Sequence, residues 1–319
     1  MRQNMNQFLG SISLKKDSNL RIAFFGNHIY GYCSLYALLE SGLKPEIVIS
    51  NVPRADEQVW YPSVSELAEQ NNIEKYCSNK ISVDSSVFAR INDLNPDILV
   101  VSSYRNILGS YILDIAELGA INLHMAPLPR YRGAHPENWA IINGEDQMGY
   151  SVHYLDEGID TGDIIAQDSV SILPEDDILS LTYKIAADAP KLLIKVLRDV
   201  QSGHIIRIPQ DESDASYYPP RKPEDGIIDW SRDEIVIHNL VRSLTRPYPG
   251  AFTFLRGDEL RVWRTRIERD QISEVSPGTL ISVEERNLKI STGTRPIVVV
   301  DFDWLGDVNI KQFVGESFE

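Results

Sequence analysis

Short, almost unbroken apolar runs alternate with helical stretches through the first half of this chain, and that alternation narrows the choice of fold more than any other feature. "RIAFFG" (21–26), "PEIVIS" (45–50) and "PDILVVSS" (96–103) are such runs. A strand that is apolar on both faces must be covered on both, which is the condition of a parallel sheet flanked by helices. The intervening segments agree. Tyr32, Leu35, Tyr36, Leu38 and Leu39 recur near helical spacing, and "SVSELAEQNN" (63–72) reads as a second helix.

The rhythm continues through a strand in "GAINLHM" (119–125), a helix around "PENWAIING" (136–144) and a strand in "GYSVHYL" (149–155). Between Ser180 and Val200, apolar residues at Leu181, Ile185, Leu192, Leu193, Val196 and Leu197 predict a long helix. Composition then changes at "YYPPRKPEDG" (217–226), a proline-rich connection. Beyond it lie a predicted helix from Ser231 to Leu244, a turn at "RPYPGAF" and alternating stretches such as "RPIVVVDFDW". At 319 residues the chain exceeds what one core usually fills. The expectation is an α/β protein: an N-terminal extension (1–19), a Rossmann-like domain with a mostly parallel sheet (20–209), and a smaller C-terminal β-rich, OB-like domain (210–319).

Charge and cysteine content exclude several classes. The formal charge is −15, which opposes broad attraction to phosphate backbones, so no nucleic-acid partner is expected. Cys33 and Cys77 form no CxxC pair, so neither a disulfide framework nor a zinc site is suggested, and no metal is expected. Neither a secretory leader nor a membrane-length apolar run is apparent, which makes a cytoplasmic location the expectation.

Three stretches carry candidate chemistry. "FGNHIYG" (25–31) has Gly26 and Gly31 but lacks G-x-G-x-x-G, so it reads as a tight strand-to-helix turn or part of a substrate pocket rather than a dinucleotide site. "LDEGIDTGDI" (155–164) is either a solvated acidic turn or a loop presenting a carboxylate; it lacks the ligand order of an EF-hand. In "INLHMAPLP" (121–129), Asn122 and His124 alternate onto one face of a strand, setting an amide beside an imidazole.

Residues 121–164, "INLHMAPLPRYRGAHPENWAIINGEDQMGYSVHYLDEGIDTGDI", closely resemble the signature of the folate-dependent formyltransferases. "SYRNIL" (103–108) is similar to that family's pterin-binding loop, and "DGIIDWSRDEIVIHNLVRSLTRPYPGAFTFL" (225–255) resembles the start of its second domain. The resemblance implies N10-formyltetrahydrofolate as formyl donor and Asn122, His124 and Asp160 as the catalytic trio. It also implies that Asn106, Ile107 and Leu108 offer backbone groups to the pterin and that Asp156, Glu157, Gly158 and Ile159 close around it. One stretch departs from the family: Met125, Ala126, Pro127 and Leu128 stand where a serine and two leucines are usual, implying a differently shaped loop.

His28 and His135 are candidates for contact with the acceptor, whereas His153 reads as a buried structural residue. Arg130 and Arg132 either face solvent in a loop or meet a phosphate or the glutamate tail of the folate, and Arg132 joins the two histidines as a candidate for acceptor contact. The favoured acceptor is an amino sugar carried on a nucleotide, in a homodimeric enzyme. Methionyl-tRNA, glycinamide ribonucleotide and a non-catalytic folate-binding role are the alternatives. From Asp211 onward the chain carries 14 basic and 20 acidic residues, which leaves no overall basic face for RNA. Residues 51–70, where the tRNA enzymes resemble one another in a basic insertion, hold one arginine beside Asp56, Glu57, Glu66 and Glu69.

Overall fold

A computed structural model describes residues 20–55, 57–268 and 274–319; the expected N-terminal extension lies outside the described residues. The strands of the first half are β1 (Ile22–Gly26), β2 (Ile47–Ser50), β3 (Glu74–Cys77), β4 (Ile98–Ser102) and β5 (Ala120–His124). Between them run α1 (His28–Glu40), α2 (Val64–Gln70), α3 (Ser86–Leu94) and the single turn α4 (Ser110–Leu113). β1, β2 and β4 are buried at every position, as their apolar runs require. β3, by contrast, is half-polar and partly exposed because it closes one edge of the sheet.

The chain continues through the two-residue strand β6 (Arg132–Gly133), α5 (Pro136–Ile142), β7 (Gln147–Tyr154), β8 (Ile164–Ser171), the long α6 (Ile178–Gln201) and a second short strand, β9 (Tyr217–Tyr218). One sheet has the order β3-β2-β1-β4-β5-β7-β8. β1 pairs in parallel with both β2 and β4, β2 with β3, and β4 with β5, while β7 runs antiparallel to β5. The order reverses direction between β1 and β4, and ligands of such sheets bind beyond the carboxyl ends of the strands at that point. The expected Rossmann-like, mostly parallel architecture is therefore present.

The described residues divide into two compact units. The first comprises 20–132, 149–169 and 185–216, with Phe24, Ile47, Ile49, Leu99 and Ile121 fully buried in its core. The second comprises 133–148, 170–184 and 217–319. It holds α7 (Glu234–Leu244) and the strands β10 (Ala251–Leu255), β11 (Asp258–Ile267), β12 (Leu280–Glu284), β13 (Asn287–Ile290) and β14 (Ile297–Trp304). These strands form an antiparallel sheet in the order β10-β11-β14-β13-β12 around a core that includes Trp230, Val241, Val262, Leu288 and Ile297. α5 belongs to this unit, where the Asn138 amide donates to the Ser243 carbonyl on α7 at 2.7 Å. Among the described residues, no helix is long and apolar enough to cross a membrane.

Candidate active site

Strand β5 delivers the first two functional side chains. Asn122 and His124 are its two half-buried positions, on one face near the carboxyl end, while Ala120, Ile121 and Leu123 are buried. Antiparallel pairing with β7 sets Asn122 directly opposite His153 and His124 opposite Ser151. Consequently the Asn122 amide nitrogen lies 3.2 Å from His153 Nε2.

The state of His153 follows from its partners. Its Nδ1 lies 2.8 Å from the Tyr154 carbonyl oxygen, which can only accept, so Nδ1 carries the proton. Nε2 is then the acceptor, and the Asn122 amide donates to it. Burial pushes the His153 pKa down to about 4, and the neighbouring His124 acts in the same direction. A neutral, fully buried imidazole thus fixes which way round the Asn122 amide sits and leaves that nitrogen with one N–H to offer elsewhere.

Asp160 comes from the loop between β7 and β8. Within it the Asp156 carboxylate accepts from Gly158 N at 3.0 Å and from the Thr161 hydroxyl at 2.7 Å. At Gly162 a Cβ would stand 1.9 Å from the Tyr154 carbonyl oxygen, so only glycine lets the returning chain lie this close to β7. Asp160 itself is left-handed, with φ +56°. Its carboxylate lies 3.5 Å from His124 Nε2 and 3.7 Å from His153 Nε2. His124 Nε2 is buried and makes no hydrogen bond.

A cavity of about 520 Å³ has Ser110, Leu113, Ala120, Leu155, Asp156 and Glu157 among its walls, so that it meets β5 at the amino end of the strand and the Asp160 loop at its start. Ala120 is two residues before Asn122 on the same face of β5. Arg207, also on the wall, stacks 3.5 Å above the Tyr154 ring. Of the residues the sequence resemblance assigns to folate, Asp156 and Glu157 line the cavity. Ile107 and Ile159 are exposed instead, and Leu108 is buried with Tyr104 and Ile112 in the core of the unit. Asn106 Oδ1 accepts from the Asn51 amide at 2.7 Å, which ties its loop to the end of β2. The α4 and Arg207 contributions had no sequence signal, because neither belongs to a motif or a periodic stretch.

The three candidates for acceptor contact have different settings. His28, at φ +59° where β1 meets α1, packs its ring against Trp60 at 5.1 Å and Tyr61 at 4.5 Å. His135 lies in the second unit as the N-cap of α5, at φ +54°. Arg132 is completely buried, its guanidinium engaged by Gln210 and Glu212, so it presents no surface for a ligand's phosphate. Trp139 on α5 is half-buried and donates from Nε1 to the Pro219 carbonyl at 3.2 Å.

An amide N–H, an imidazole and a carboxylate at these distances are able to donate to a carbonyl oxygen and to exchange a proton. A formyl transferase model matches residues 21–197, and a formyl transferase C-terminal domain model matches residues 221–312. The chain belongs to the formyl transferase family. Solved structures of similar fold include an N-formyltransferase from Helicobacter canadensis, described in complex with folinic acid and dTDP-3-aminofucose. It is 18% identical, with TM-score 0.69 over 89% of this chain and 100% of that one. WlaRD, described as a sugar 3N-formyl transferase in the presence of dTDP and 5-N-formyl-THF, is also 18% identical, with TM-score 0.67 over 91% and 100%. Methionyl-tRNA formyltransferase from Clostridium thermocellum matches at 16% identity and TM-score 0.54, over 89% and 98%.

Proposed function

We propose that this formyltransferase moves the formyl group of N10-formyltetrahydrofolate onto the amino group of a nucleotide-linked amino sugar, with Asn122, His124 and Asp160 as the catalytic trio. One observation carries the chemistry: a buried His124 nitrogen without a hydrogen bond, within 4 Å of the Asp160 carboxylate, on the same strand face as a pinned Asn122 amide.

The amine attacks the formyl carbon, a new C–N bond forms, and the carbonyl oxygen becomes an oxyanion. The N–H that Asn122 retains and a protonated His124 are the donors for that oxygen. As the intermediate collapses, the bond from carbon to N10 breaks. The proton lost by the amine passes to the Asp160 carboxylate, and protonated His124 gives its own to N10 of the departing tetrahydrofolate. The cavity bounded by Leu113, Ala120, Leu155, Asp156 and Glu157 is where the donor's ring system fits, apolar on one side and rich in acceptors on the other.

The acceptor assignment rests on charge. A chain at −15 suits a small ligand whose diphosphate needs one or two cationic contacts better than a polyanion. The folinic acid and dTDP-sugar ligands described for the Helicobacter canadensis enzyme support the same reading. It takes the enzyme as cytoplasmic and homodimeric.

The test is incubation of the protein with N10-formyltetrahydrofolate and either a panel of amino-sugar nucleotides or methionyl-tRNA, with detection of the added formyl mass. One sugar nucleotide gains the formyl group, methionyl-tRNA does not, and His124→Ala or Asp160→Asn removes most of the turnover without unfolding the protein. Formylated tRNA would overturn the acceptor assignment, and near-normal turnover in either variant would overturn the mechanism.

A further inference from the structure

A bracket outside the reacting trio determines where Asp160 can stand. Asp160 is in the left-handed conformation, uncommon for a residue other than glycine although aspartate takes it more readily than most, and the hydrogen bonds around it hold the backbone there. The Asp160 carbonyl accepts from Gln210 Nε2 at 2.8 Å, and the Gly162 carbonyl accepts from the same nitrogen at 2.7 Å. On its other side, Gln210 Oε1 accepts from Arg132 Nε at 3.1 Å and from Nη2 at 2.8 Å. All four hydrogen-bonding positions of one amide are therefore filled, two as donor and two as acceptor.

The amide is held in this orientation by the arginine. A flipped Gln210 would turn its N–H groups toward a guanidinium that has only donors, and its oxygen toward two carbonyls that only accept. Arg132 is in turn fixed by a fork to Glu212, from Nη1 to Oε2 at 2.9 Å and from Nη2 to Oε1 at 2.7 Å. The guanidinium is 0% exposed while Glu212 is 68% exposed. A buried arginine paired to so open a carboxylate adds little net stability, and what such an arrangement supplies is a fixed geometry.

We propose that Arg132 and Gln210 are positioning residues for formyl transfer: the guanidinium locks the Gln210 amide, and the amide clamps the backbone of Asp160 and Gly162 so that the carboxylate stays beside His124. This gives Arg132 a task other than the phosphate contact its charge suggested. The proposal rests on Asp160 as a catalytic residue and is independent of which amine accepts the formyl group.

Gln210→Glu is the test, since glutamate keeps the length and the acceptor facing Arg132 but sets an oxygen against the two loop carbonyls. Loss of N10-formyltetrahydrofolate is followed with the amine that supports turnover, or with water as acceptor if none does, so failure of the sugar assignment shows only in the choice of acceptor. The expected result is a kcat reduced by about tenfold to a hundredfold with the folate KM within about twofold, as for a misplaced catalytic group. In an Asp160→Asn background the same change lowers kcat by less than about twofold, because there is no carboxylate left to misplace. Equal losses in both backgrounds, or an unchanged kcat in the first, would overturn the proposal. Should Gln210→Glu fail to fold by thermal melting, Gln210→Met removes the amide at similar volume without adding charge and is read in the same cycle.

Discussion

His153 shows how one side chain ties chemistry to stability. Its two hydrogen bonds require the neutral ring, and burial holds its pKa near 4, while the unfolded chain titrates at the ordinary histidine value. The unfolded state therefore binds more protons than the native state between about pH 6.5 and pH 4, and stability must fall as pH is lowered through that window. The expected contribution is a slope of about 1.4 kcal/mol per pH unit at most. Urea unfolding at pH 7 and pH 5 measures it, and His153→Leu should flatten the dependence; an equally steep dependence in that variant would assign the protons to other groups. His238, with its pKa also lowered to about 4 by burial, adds a slope of the same sign from the second unit. At this scale the alternation of a strand was enough to set Asn122 and His124 on one face, whereas Asp160 was named only by the resemblance to the family; its carboxylate lies 3.5 Å from His124 Nε2. Gln210 was not legible, since it lies 50 residues from Asp160 in an irregular stretch with no period to betray it.

Among the elements, the loop from Leu155 to Asp163 depends most on a single residue type. A Cβ at position 162 would press on the Tyr154 carbonyl, so Gly162→Ala must push the loop away from β7. Destabilisation of about 1–3 kcal/mol is expected, together with a fall in kcat, because Asp160 moves with the loop. Thermal melting and steady-state kinetics on the purified variant report both, and a kcat unchanged at full occupancy of the donor would show that the loop tolerates the shift. The central strands β1, β2 and β4 could be read directly from their apolar runs. β3 and α3 could not. "EKYC" lies at an edge where one side meets water, and α3 is amphipathic but only nine residues long, with Val87 and Ile91 alone buried, so its pattern is brief.

For the whole molecule, the acidic balance leads to a prediction about salt. If the acceptor is a nucleotide sugar, two phosphates at most are released from their counterions on binding. The logarithm of acceptor affinity should then fall by no more than about 2 for each tenfold rise in salt. A tRNA acceptor would give a much steeper line, so KM measured from low to moderate ionic strength separates the two. The composition change at residues 217–226 begins where the last segment of the second unit begins. The grouping of residues 133–148 with the second unit was not legible, because α5 is joined to α7 through contacts such as Asn138 to Ser243, about a hundred residues apart.

The antiparallel pairing of β5 with β7 also bears on when activity can arise. Asn122 and the imidazole that orients it are 31 residues apart, and Asp160 follows later still. A ribosome-bound chain that has exposed β5 but not yet docked β7 has its donor amide unpinned and no carboxylate nearby. The amide, the imidazole that orients it and the carboxylate are therefore brought together only once β5 and β7 are paired and the loop that follows β7 has closed over them.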